Sequence, residues 1–252
     1  MPFKYEKRFP LWLFIVVVSL MSTGLGFLLG AYVHPVLLLV FSSVPFYPIY
    51  LSQFKARQHG RAVLYVAVWA VTNTFMMILL TLGYASHAAK AVIAGSSYQE
   101  EMFVWLATGV GPEGDPSLFV PDHLTNAAVF STLSLATGGF LALLFGAYQM
   151  NYMNFYVGIL FSRVFNPTPY NLILVASLSW PIYAILRVVG FICIGVATTI
   201  PLASKMFNET IESRPLVRFL LTGIILVVTD ILLKALVSPF YRELLTQLVR
   251  TP

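Results

Sequence analysis

Charge is what this chain has least of. Asp, Glu, Lys and Arg make up 10% of its 252 residues, against roughly 25% in soluble domains, while 58% are hydrophobic and the mean hydropathy is +0.82. A soluble domain of this composition is excluded. Cysteine is nearly absent too: the single Cys193 lies inside an apolar run, which rules out an intrachain disulfide, an iron–sulfur ligand set and a thiolate zinc site. The four histidines, His34, His59, His87 and His123, fall one to a segment, and none repeats at i+4 as a helical zinc pair would. There is no G-x-S-x-G nucleophile elbow and no G-x-x-x-x-G-K-[ST] phosphate loop. No catalytic residue, metal site or cofactor is therefore expected. The formal charge of +5 does not point to nucleic acid, because the basic residues flank apolar spans, as cytoplasmic loops and anionic lipid surfaces require.

What the chain has instead is long apolar sequence. Residues 124–162 contain no charged side chain at all, and about 20 apolar residues cross a bilayer core of roughly 30 Å, so this run holds one crossing and part of a second. Small residues let membrane helices approach where oil–water exclusion cannot drive association. Gly138, Gly139 and Gly146 in this run, and Gly24, Gly26 and Gly30 in the first apolar run, are expected at helix crossings near the bundle centre. Asn126, Asn151 and Asn154 are candidates for bonding across helices or for capping.

Along the chain, residues 11–33 form an uncleaved first span behind Lys4, Lys7 and Arg8. Residues 35–51, interrupted by Pro45 and Pro48, form either a kinked second crossing or a re-entrant hairpin. Lys55, Arg57 and Arg61 place the next loop with the N-terminus in the cytoplasm under the positive-inside rule. Residues 62–86 return outward. Residues 87–123 form an external polar and interfacial insertion, rich in Glu and Asp, with a short surface helix over 98–106 and a loop over 109–123. Two prolines in N-P-T-P-Y-N cut 152–165 short as a half-helix. A second long apolar run, 170–202, carries Pro181 and Arg187, and a last span, 216–240, carries Asp230 and Lys234. The expected fold is all-α: one integral membrane domain over 1–252, a polytopic bundle with six or seven membrane segments, one of them kinked or re-entrant, in the cell membrane.

Arg187, Asp230 and Lys234 are the intramembrane charge cluster. A charge at the bilayer centre costs about 2.5–3.5 kcal/mol on insertion scales, so these residues are expected to pair, with Asp230 against Lys234 four residues on or against Arg187. Glu100, Glu101 and His123 invite comparison with an intramembrane metalloprotease of the prenyl-endopeptidase type, but such a site needs further histidines on facing membrane helices. A lone His near an interface is ordinarily just a polar side chain.

Three stretches together resemble the stage II sporulation protein M family of integral membrane proteins. They are DHLTNAAVFSTLSLATGGFLALLFGAYQMNYMNFYVGIL from Asp122 to Leu160, SLSWPIYAILRVVGFICIGVA up to Gly195, and LKALVSPF around Ser238 and Pro239. The resemblance covers about half the chain. Where the family carries a His-Gly-x-x-Glu core, Trp180, Pro181 and Ala184 stand here, and its final-helix glutamate falls on Lys234. The resemblance implies a non-enzymatic scaffold or interaction component of an envelope-associated complex, working with other membrane proteins or as a homo-oligomer in the bilayer. The alternative from the residues themselves is a permease subunit moving a small substrate or ion past the intramembrane charges.

Overall fold

The computed structural model describes residues 10–250, and the basic residues Lys4, Lys7 and Arg8 lie outside the described residues. Every regular element described is helical: α1 (Leu11–Tyr32), α2 (Val36–Ser43), α3 (Tyr47–Lys55), α4 (His59–Gly83), α5 (Ala85–Ala91), α6 (Gly95–Thr108), α7 (Pro116–Thr137), α8 (Phe140–Ser162), α9 (Pro169–Ser179), α10 (Ile182–Met206) and α11 (Ser213–Leu248). Five segments are long and apolar enough to cross a membrane: α1, the α2–α3 pair as Val36–Lys55, α4, α10 and α11. Their outward faces carry exposed side chains such as Met21, Phe75, Leu79, Leu232 and Leu236. In a bilayer this is the lipid-facing surface.

Residues 35–51 thus belong to a kinked helical segment, Val36–Lys55, long and apolar enough to cross. Pro48 sits in the first turn of α3, where its missing N–H costs nothing, and a short turn at residues 44–46 bends the path. The long charge-free run divides differently from expectation. α7 begins at Pro116, inside what the sequence suggested was loop, because Asp115 caps it by accepting from Ser117 N at 2.8 Å and Pro116 is preset for the first helical position. α8 runs unbroken for 23 residues, so 152–165 is not a separate half-helix. The break comes at Gly138 and Gly139, whose φ angles of 62° and 88° lie in the left-handed region that ends helices. These two glycines are turn residues, not crossing points. A Cβ on Gly139 would also stand 2.5 Å from Tyr50 Cε1 and 2.9 Å from Thr199 Oγ1. Similarly, Pro181 splits 170–202 into α9 and α10.

α10 packs most extensively on α11, α4 on α8, α1 on α2 and α4, and α7 on α10 and α8. One end of the bundle gathers the α3–α4 junction, the Gly138–Gly139 turn and the α10–α11 junction. There Arg57 Nε meets Glu209 Oε2 at 3.0 Å, Arg57 Nη1 meets Glu212 Oε1 at 3.3 Å, and His59 Nε2 lies 3.2 Å from Glu212. The opposite end gathers the insertion, α9 and the last three turns of α11. A second apolar core at this end, built on Phe103, Trp105, Leu106, Tyr156, Leu160, Val175, Leu245 and Val249, makes α6 a packed lid rather than a floating surface helix.

Glycines do permit close approach, though not all the expected ones. A Cβ on Gly26 would meet Phe41 Cβ at 2.8 Å, and on Gly30 it would meet Ala91 and Leu38 at 3.2 Å, so α1 seats on α2 and α5 there. Gly24 faces only the tip of Met76 at 3.2 Å, and Gly146 has ordinary clearance of 3.5 Å from Phe130. Other tight crossings use Gly158 against Thr81, Gly195 against Phe130, and Gly190 against Gly223, where α10 meets α11 backbone to backbone.

Candidate functional site

The lid is fastened to α11 by two charged side chains. Arg242, nearly at the far end of α11, donates from Nε to the Trp105 and Leu106 carbonyls at 2.9 and 3.0 Å and from Nη2 to Ala107 O at 3.1 Å. Those are among the last carbonyls of α6; Trp105 O also accepts the capping Gly109 N–H at 2.8 Å, whereas Leu106 O and Ala107 O take only Arg242 among the described residues, and a cation there suits the negative end of the helix dipole. Two turns earlier on α11, Lys234 Nζ donates to Glu113 Oε1 at 2.9 Å and lies 4.6 Å from the Phe119 ring centroid. Lys234 is 1% exposed.

Asp230, four residues before Lys234, is 0% exposed and turns to different elements. Its Oδ2 lies 3.2 Å from His123 Nδ1 on α7 and 4.0 Å from Arg187 Nε on α10, and Arg187 Nη1 contacts His123 Nε2. Neither carboxylate oxygen has a well-directed hydrogen bond among the described residues. Arg187 has no acceptor, so its contact needs His123 Nε2 as the acceptor of a neutral ring, and the 3.2 Å approach of His123 Nδ1 to Asp230 is a polar contact without good hydrogen-bond alignment.

The structure brings Arg187, Asp230 and Lys234 into one region, and of the two expected partners Asp230 approaches Arg187, at 4.0 Å, with no ion pair to Lys234 among the described residues. Asp230 meets Arg187 and His123, while Lys234 takes Glu113 from the insertion. His123 and Glu113 are the members that sequence reasoning passed over. Of the asparagines, Asn154 donates from Nδ2 to Thr74 Oγ1 across the α4–α8 interface at 3.2 Å. Asn151 is buried with Nδ2 unpartnered among the described residues, and Asn126 stays on its own helix, donating to Asp122 at 3.0 Å. A cross-helix bond from Thr23 Oγ1 to Asn73 Oδ1, 2.5 Å, links α1 to α4. Among the described residues no group of three His, Cys, Asp or Glu could hold a metal ion. Residues 109–114, G-V-G-P-E-G, have a dinucleotide-loop spacing but follow a helix instead of a strand, which removes that meaning.

Glu113 lies in the α6–α7 connection. Burial pushes its carboxyl upward, but Lys234 and then Arg187 outweigh this and hold it below its ordinary value of 4.5. A carboxyl depressed on folding contributes stability that is complete above the ordinary value and is lost as pH falls through the lower folded one. Amide exchange over α6, corrected for intrinsic rates, is therefore expected to hold steady from pH 8 to 5 and to quicken below 4.5. In Glu113→Gln that acid-dependent step should be missing.

A small cavity of about 40 Å³ lies between the lid and the bundle at this end, with Arg187 and Glu113 in its wall beside Tyr98, Tyr156, Tyr183 and Tyr241. We find no family model, no curated protein and no solved structure that matches the chain. What the fold defines is a class: a multi-pass helical membrane protein, with a lid held to its last helix by buried charge.

Proposed function

We propose that this chain is a non-enzymatic membrane scaffold, an interaction component of a complex in the cell membrane. The observation that carries the reading is how the intramembrane charges are used. Asp230 and Lys234 are sealed from solvent, and their contacts are to Arg187, His123 and the lid's Glu113. A permeation route needs charges facing a water-filled path, whereas the cavity beside Arg187 is confined to the lid end. The latch holds in place a lid whose outer surface exposes Glu100 and Glu101, an acidic face suited to a basic partner surface. The resemblance to the stage II sporulation protein M family points the same way.

In this reading α7 and α8 join the five apolar spans as a polar-centred hairpin, giving seven crossings. The end bearing Lys55, Arg57, Arg61, Lys205, Arg214 and Arg218 faces the cytoplasm, and the lid faces outward. The permease reading keeps one observation in its favour: Arg187 and Glu113 both border the cavity.

Two measurements on the full chain test the proposal. Extracted from native membranes in mild detergent, it should migrate as an assembly larger than one 28.0 kDa chain in its micelle. Reconstituted into vesicles with pH- and potential-sensitive dyes, it should pass no more protons or cations than empty vesicles. Migration as a single chain together with flux abolished by Arg187→Lys would replace the scaffold with a permease.

A further inference from the structure

The cavity under the lid has a donor set that the scaffold reading does not use. Arg187 carries five N–H donors, of which one contact goes to His123 Nε2, and its nearest carboxylate, Asp230, stands at 4.0 Å, beyond hydrogen-bond range. Tyr156 is 4% exposed, and its Oη has no partner among the described residues. Ser179 Oγ is also buried and unpartnered. All three side chains line the same cavity. The acidic neighbour, Glu113, already gives Oε1 to Lys234.

A guanidinium with free N–H groups and two unpartnered hydroxyls in the wall of one cavity favour a ligand that brings acceptor oxygens, since each unsatisfied buried hydroxyl or N–H costs free energy that an incoming oxygen would recover, even with the Glu113 carboxylate in the same wall. A cation is disfavoured beside the Arg187 guanidinium. The size is selective too: one water-sized sphere takes about 10–15 Å³ of this kind of space, so 40 Å³ holds roughly three heavy atoms. A planar carboxylate has three, matches the guanidinium fork, and leaves its alkyl group to the apolar walls at Val157, Leu178 and Leu245. A phosphate, bulkier and more highly charged near neutral pH, is disfavoured against a carboxylate by the Glu113 carboxylate in the same wall.

We propose that the lid cavity binds a carboxylate group of a small or slender acid, held by Arg187, Tyr156 and Ser179. The chemistry is the same for a free short-chain acid and for the head of a fatty acid whose tail leaves toward the lipid. This site goes beyond the scaffold reading and does not depend on it.

The test uses the full chain in nanodiscs at constant ionic strength, with calorimetry and thermal unfolding against sodium acetate, propionate, laurate, phosphate, chloride and ethylammonium chloride. Acetate or propionate is expected to bind saturably and raise Tm if the source is a free acid, and laurate alone if it is a lipid. Phosphate and ethylammonium should do neither. Tyr156→Phe removes only an unpartnered hydroxyl, so Tm without ligand should hold or rise while carboxylate affinity falls about tenfold. Ser179→Ala should act likewise, and Arg187→Lys should weaken binding further through loss of the bidentate fork. Absence of saturable carboxylate binding to the parent, or parental affinity in both Tyr156→Phe and Ser179→Ala, overturns the proposal. So does equal binding of chloride, which would leave an adventitious ion only.

Discussion

Gly223→Val is expected to prevent the protein from accumulating in a folded state. Added to Gly223, even a single Cβ would stand 2.7 Å from Gly190 O, 3.0 Å from Ile194 N and 2.6 Å from Ile194 Cγ1. The first two are backbone atoms of α10 and cannot swing aside as a side-chain tip would. Alanine therefore forces the two helices apart and should cost about 1–3 kcal/mol, the usual range for overpacking, with valine worse because two further methyl groups enter the seam. The loss extends beyond one contact. The same pair of helices carries Arg187, Asp230 and Lys234, so widening it lengthens the 4.0 Å Arg187–Asp230 approach as well. Gly60→Ala is the control, because a Cβ there meets nothing within 4 Å and alanine is at least as good a residue as glycine in the first turn of α4. Thermal unfolding in detergent should show Gly60→Ala at or above the parent Tm, Gly223→Ala well below it, and Gly223→Val aggregated on extraction. A parental Tm for Gly223→Ala would mean that the α10–α11 crossing is not set by these glycines.

The second large effect concerns Lys234. An ammonium with 1% exposure is tolerable only while Glu113 and the Phe119 ring compensate it. Glu113→Gln strips the formal partner from a sealed cation and should cost about 3–5 kcal/mol, as breaking buried pairs does elsewhere. Lys234→Met strands Glu113 in turn, less severely, since its side chain is 15% exposed and a carboxyl can take up a proton. The damage should concentrate in α6 and the α6–α7 connection, with exchange protection lost there first while α4 and α8 remain protected. Arg242→Gln removes the other fastening and should loosen the same segment, because the Leu106 and Ala107 carbonyls lose their donor.

The spans were legible because crossing a bilayer imposes length and apolarity on contiguous residues, and α1, α4, α10 and α11 each satisfy it locally. The charge-free run of 124–162 misled for the same reason. With apolar character on both sides of Gly138–Gly139, composition did not mark the turn, and glycine reads equally as a packing residue or as a left-handed cap. The start of α7 was readable in Asp115 and Pro116, an N-cap followed by a first-turn proline, but the surrounding glycines and prolines read as loop. The charge cluster is a different case. Periodicity puts Asp230 and Lys234 on one face of α11, yet it says nothing of which elements that face meets. His123 lies 107 residues before Asp230, and Glu113 lies 121 residues before Lys234. Only packing brings them together, and an isolated histidine or loop glutamate has no local pattern to announce a buried partner.

The central claim, that the buried charges fasten the lid and do not form a route, is tested most directly by a double-mutant cycle on Glu113 and Lys234. Stabilities of the parent, Glu113→Gln, Lys234→Met and the double variant would be measured by reversible unfolding in one detergent. If the pair is structural, removing both charges leaves neither ion stranded, so the double variant should recover most of the loss, with a coupling energy of about 2 kcal/mol or more. Its assembly size on native extraction should match the parent's. Additive single effects, or single variants as stable as the parent, would contradict the claim and leave the charges to be explained by permeation.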